Sequence, residues 1–156
     1  MKVIHKYYSL FHSCTELIFC LVGFYKKAKV TDVLQQKGNP ESTLHDFLVF
    51  GPLIVTIQIN SDFYQYKGNK LFENEGIFES PKCCNAINSD CGSGAVSLTS
   101  VLVVGYGKSP KGKEYWILKQ PCGTDWGCKG FIYFKKGTGH CGIAQKDWTI
   151  VRCKRS

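Results

Sequence analysis

The chain has 156 residues and a mass of 17.5 kDa, which allows one ordinary domain and no second of full size. Hydrophobic residues at 44% and charged residues at 21% exclude a wholly disordered or collagenous chain. The net charge of +8 sits in the last third: residues 1–106 balance 9 basic against 9 acidic side chains, whereas residues 107–156 hold 11 against 3.

Met1–Lys6 carries two lysines and leads towards the apolar run Leu17–Tyr25 (LIFCLVGFY), an order similar to that of a signal peptide. His12, Ser13, Thr15 and Glu16 interrupt the approach, and no small-x-small site precedes Lys26-Lys27, so the signal is not convincing. Nine apolar residues also fall short of the roughly 20 that a membrane span needs, and no membrane partner is expected. Residues 1–24 are set apart as an N-terminal segment, and residues 25–156 as the domain.

Ser42 to Phe50 (STLHDFLVF) offers a hydroxyl cap and Leu44, Phe47 and Leu48 at helical spacing, and Gly51-Pro52 stops it, which predicts a helix of about two turns. Leu53–Ile59 (LIVTIQI) is β-branched and too apolar for an exposed loop, so it reads as a buried strand, and Asn60–Asp62 turns the chain. Residues 63–98 are irregular, aromatic first (FYQYKG), then polar, with Pro81 and a cysteine-rich CCNAINSDCGSG stretch. Strand signals return at Val101–Val104, Glu114–Lys119, Gly130–Phe134 and Asp147–Cys153, separated by Gly-rich or Pro-rich turns. The fold class is therefore mainly β within the α+β family: an antiparallel, barrel-like sheet packed with one short helix.

The lysines at 108, 111, 113, 129, 135, 136 and 154 are scattered among turns with no aromatic-flanked basic motif, which reads as a solvated basic face and not a nucleic-acid site. Nine cysteines, at 14, 20, 83, 84, 91, 122, 128, 141 and 153, point to an oxidising compartment, and an odd number leaves at least one thiol unpaired within the chain. No C-x-x-C pair and no His at ligand spacing accompany them, so structural disulfides are favoured over zinc, and neither a metal nor a cofactor is expected.

Seven pieces in order carry a resemblance. They are Gly51–Ile57, Asp62–Tyr64 with Tyr66-Lys67, Gly76–Phe78 with Ser80–Cys83, Val101–Gly107, Tyr115–Lys119, Gly123–Gly127 and His140–Ala144. Together they resemble the C-terminal half of papain-like cysteine proteases, most closely the cathepsin L type. That family pairs a mostly helical half with a β-barrel half across an active-site cleft, and the sequence resembles the barrel half alone. The resemblance implies a disulfide between Cys83 and Cys141, a bridge worth roughly 2–5 kcal/mol in a small secreted domain. It also implies an extracellular or lysosomal location.

Cysteine protease chemistry needs a thiolate, an imidazole to manage its proton, a group that orients the imidazole, and donors for the oxyanion. No segment resembles the family's nucleophile-bearing run; Cys91–Gly94 is only superficially similar and reads as a loop. The resemblance places Thr99 where the family has its histidine, Gln120 where it has the orienting asparagine, and Cys122 where it has a shielding tryptophan. A neutral hydroxyl titrates far above pH 7 and cannot act as base towards a thiol. His5, His12, His45 and His140 read as surface or packing residues, and nothing in the sequence brings Cys122 and His140 together as a dyad. Lys146 stands at the floor of the family's main specificity pocket, where an ammonium needs an acidic partner or solvent.

Two functions compete. One is a catalytically inactive papain-like peptidase homologue; the other is a non-catalytic module that binds a protease, a prosegment-like inhibitor, a peptide or an acidic ligand. An upstream helical half would complete the fold, and Thr99 would still disable it. Without that half, the cleft-facing surface is expected to drive self-association.

Overall fold

The computed structural model describes residues 29–36, 40–68, 76–81, 97–120, 123–145 and 148–154. The boundary proposed at residue 25, the cysteine-rich stretch with Cys83, Cys84 and Cys91, and positions 122 and 146 lie outside the described residues.

Strand β1 (Lys29–Gln36) opens the described chain, and sequence periodicity missed it. Helix α1 (Ser42–Phe47) follows and tightens into a 3-10 turn over Leu48–Phe50. Gly51 ends the turn at φ 144°, a conformation closed to side chains with a Cβ. The expected hydroxyl cap from Ser42 is corrected: the cap position is Glu41, which has helical dihedrals and makes no side-chain capping bond. Glu41 instead turns its carboxylate to a distant turn, described below.

Strand β2 (Leu53–Ile59) is buried as its composition requires. Asn60 accepts the N–H groups of Asp62 and Phe63, so the expected turn is in fact the capped start of a short helix, α2 (Ser61–Tyr64). The chain then supplies β3 (Ile77–Phe78), β4 (Ser97–Lys108), β5 (Glu114–Lys119), β6 (Phe131–Lys135), a 3-10 turn (His140–Gly142) and β7 (Trp148–Lys154).

These strands form one sheet in the order β1-β7-β2-β4-β5-β6-β3. Every pairing is antiparallel except β3 with β6, so the sheet is mixed. Strand β2 pairs from Leu53–Val103 to Ile59–Ser97, which extends β4 well before Val101. Val55, Ile57, Val101, Val103, Trp116, Leu118, Ile132, Phe134 and Ile150 meet Leu44 of α1 and Phe63 of α2 in the main core. Each such side chain contributes roughly 1.5–3 kcal/mol through burial. Ile77, Tyr115 and Ile117 form a second cluster on the other face of the same strands, so β5 is covered on both sides.

Candidate functional site

The alternation of β4 fixes where Thr99 lies. Thr99 pairs with Ile57 of β2, is half-buried, and shares its parity with the core residues Val101 and Val103. Leu102 pairs with Lys119, so Gln120, one residue beyond β5, comes to the same end of the β4–β5 pair as Thr99. Gln120 also continues the alternation of Trp116 and Leu118, which puts it on the same face as Thr99. Its side chain is 7% exposed, and its main-chain N–H donates to the Gly130 carbonyl at 3.1 Å. The two positions singled out as degenerate are thus brought to one corner of the sheet. That corner offers a hydroxyl and an amide, groups that donate and accept hydrogen bonds but do not titrate near neutrality.

Lys119, on the opposite face, is 5% exposed and holds its ammonium 5.5 Å above the Phe131 ring. The turn that follows is built on Gly127, at φ 62°, where a Cβ would lie 2.5 Å from the Phe131 carbonyl oxygen. Trp126 before it packs its ring at a tilt against Phe63, centroids 4.9 Å apart, and its indole N–H donates to the Tyr64 carbonyl at 3.2 Å.

Cys141 is fully buried and disulfide-bonded, and Cys83, the partner expected for it, lies outside the described residues. Cys128 is a free thiol to which the Tyr133 hydroxyl donates at 3.8 Å. His45 is an exposed residue of α1 whose ring lies 4.4 Å from that of Tyr106. His140 is buried, and its Nε2 accepts the main-chain N–H of Ser80 at 3.2 Å. Its burial holds the ring below the ordinary histidine range, with Lys135 pushing the same way. Among the described residues, no cluster of three His, Cys, Asp or Glu side chains stands ready to hold a metal.

Two arrangements escaped sequence reasoning. Glu41 Oε1 accepts the indole N–H of Trp116 at 2.6 Å and the N–H of Gly137 at 2.8 Å, while Oε2 accepts the N–H of Gly139 at 2.6 Å. One carboxylate thereby ties α1 to β5 and to the turn after β6. It lies beside an open cleft of about 1030 Å³ lined by His45, Glu114, Trp116, Lys136 and Ile143. Lys136 bonds Glu114 at 3.3 Å and lies 5.3 and 5.1 Å above the rings of Tyr106 and Trp116. The second arrangement joins Asn60, Asp62, Ser80 and His140, with partners up to 60 residues apart. The local sequence signal for the first was the Gly137-Thr138-Gly139 spacing, whose two glycines both take positive φ and turn their N–H groups towards Glu41.

The model of the papain family cysteine protease matches residues 12–151. The chain is 35% identical over 115 residues to cathepsin L1 of Drosophila melanogaster, covering 73% of this chain and 26% of that protein. It is 34% identical over 121 residues to procathepsin L of Felis catus, covering 75% and 32%. It thus spans about a third or less of the length of these relatives. The digestive procathepsin L2 proteinase of Tenebrio molitor larval midgut superposes with a TM-score of 0.60 at 25% identity, over 80% of this chain and 34% of that one. Matched by the family model over most of its length and superposing on a papain-fold proteinase, the chain belongs to the papain family of cysteine proteases, in its cathepsin L-like branch.

Proposed function

We propose that this chain is a papain-family peptidase homologue that does not itself cleave peptides. The observation that carries the reading is Thr99: the position that the family resemblance assigns to the imidazole holds a hydroxyl, and Gln120, assigned to the orienting asparagine, lies at the same corner of the sheet. A hydroxyl cannot take the proton of a thiol, and an orienting amide without an imidazole has nothing to orient. Thr99 disables the site whether or not further sequence accompanies this segment. The histidine nearest to the Cys141 turn has its Nε2 bonded to Ser80, which argues against recruiting His140 with Cys122.

Within this reading Cys83 is the partner of Cys141, and the chain resides outside the cell or in the lysosome. The buried disulfide at Cys141, the nine cysteines and the family support both. The test is a titration of the purified chain with a thiol-directed, peptide-based active-site probe, run beside a generic thiol reagent. The expected result is a cooperative unfolding curve with no probe labelling. Stoichiometric labelling of one cysteine overturns the reading, because it requires an activated thiol. A Thr99→His variant is expected to remain unlabelled as well, since an imidazole without a nucleophile restores nothing.

A second reading, a binding module for a prosegment-like peptide or a protease, is favoured by Val49, Phe50 and Leu98, which are 76, 49 and 49% exposed. Apolar side chains left in water are the usual raw material of an interface. Binding of a synthetic cathepsin L-type prosegment peptide that survives moderate salt supports it, and loss of all binding there counts against it.

A further inference from the structure

Polar groups from three elements meet at one buried point. Asn60 accepts the N–H groups that open α2 and donates its amide to Ser80 Oγ at 3.0 Å; Ser80 Oγ in turn donates to Asp62 Oδ2 at 2.6 Å. The Ser80 main chain, just after β3, donates to His140 Nε2 at the head of the last 3-10 turn. Asn60, Ser80 and His140 are 4, 3 and 4% exposed. The imidazole lies against two phenyl rings, with centroids 5.9 Å from Phe78 and 5.3 Å from Phe134.

An imidazole nitrogen that accepts a main-chain N–H carries no proton, so the bonded ring is neutral with its hydrogen on Nδ1. A second proton would set a donor against the Ser80 N–H and place a charge between two phenyl faces. The charged groups that bear on the ring are Glu79 beside Ser80, Lys135 on β6 and Glu41 at the start of α1, with Asp62 of α2 reached through Ser80. The carboxylates Glu79 and Glu41 favour a charged ring, Lys135 and burial oppose it, and burial is the largest effect.

We propose that the Ser80–His140 bond is an acid-sensitive latch: the neutral ring holds the exit of β3 against the turn that contains Cys141, and proton uptake by the ring parts the two. The chain leaves Ser80 through Pro81 towards Cys83, so the latch acts on the strand exit that the cysteine-rich stretch hangs from. The proposal is independent of whether the chain cleaves peptides.

The test compares the disulfide-intact chain with His140→Gln, whose amide oxygen still accepts the Ser80 N–H but takes no proton. Between pH 7 and 5 the apparent unfolding constant of the parent is expected to rise about tenfold more than that of the variant. An equal rise in both overturns the latch. If the variant fails to fold, nitrogen-15 NMR of the parent decides: an unprotonated Nε2 that titrates below 6.5, with faster exchange of the Ser80 amide as it does so, supports the proposal. A midpoint at or above 6.5, or an Nε2 protonated at neutral pH, overturns it.

Discussion

Glu41 shows how much one side chain can organise when its partners are main-chain donors. Its three short hydrogen bonds join α1 to the indole of Trp116 and to Gly137 and Gly139. Glu41→Ala leaves a buried indole N–H without an acceptor, and the unfolding free energy is expected to fall by about 2–4 kcal/mol in a denaturant titration. Glu41→Gln, which keeps one acceptor oxygen, is expected to lose less than half of that. Tyr66 plays a similar part: its hydroxyl donates to the Gly76 carbonyl at 2.6 Å and accepts the Tyr133 N–H at 3.1 Å. Burial pushes its pKa up to about 12. Tyr66→Phe strands both main-chain groups and is expected to cost about 1–3 kcal/mol, read from the midpoint of thermal or denaturant unfolding.

At the level of elements, β2 and β5 were legible because LIVTIQI and EYWILK are dense in β-branched and aromatic residues. Strand β1 was not: KVTDVLQQ mixes polar and apolar residues because it is an edge strand, with Val33 and Leu34 exposed. Strand β4 was read four residues too short at each end because Ser97, Thr99 and Ser100 before it are polar and Gly105 and Gly107 after it look like a turn, though both ends stay paired. Strand β3 has two residues and owes its form to a parallel pairing with β6 that no local signal encodes. An exposed apolar edge is a template for self-pairing. Val33→Lys is therefore expected to lower the association of the chain, seen as a smaller scattering mass at equal concentration; unchanged scattering would place association elsewhere. In the turn before β6, Gly127→Ala forces a Cβ to within 2.5 Å of a carbonyl oxygen and is expected to cost about 2 kcal/mol or more in unfolding free energy.

For the molecule as a whole, the pKa directions define a stability plateau. His140 is held low, so its contribution is complete above 6.5 and is lost as pH falls through its folded value. Glu79, held low by its hydrogen bond to Lys135, contributes above 4.5 and loses that at lower pH; both partners are solvent-exposed, so salt weakens the pair. Tyr66 is raised, so its contribution is complete below 10 and is lost as pH rises towards about 12. Unfolding midpoints are expected to be flat from about pH 7 to 10 and to fall on both sides. A maximum near pH 5 would contradict the neutral, buried His140. Thr99 and Gln120 were singled out through the family resemblance, by their spacing from Gly105 and from the Tyr115-Trp116 strand, and not through any strand pattern of their own. Glu41 and the His140 cluster were not, because their partners are 60 to 98 residues away and no periodicity reports such pairings.

The pairing of β1 with β7, from Lys29–Lys154 to Gln36–Trp148, joins the first and last described strands. On the ribosome β1 emerges before every other described strand, but the strand that receives it follows all of them. Vectorial folding therefore has to assemble β2, β4, β5 and β6 while β1 waits with an open edge, the stage at which a nascent sheet is most available to chaperones. A ribosome stall or premature stop before Trp148 would leave both β1 and the outer edge of β2 unsatisfied, so a truncated product would carry two open strand edges instead of one closed seam.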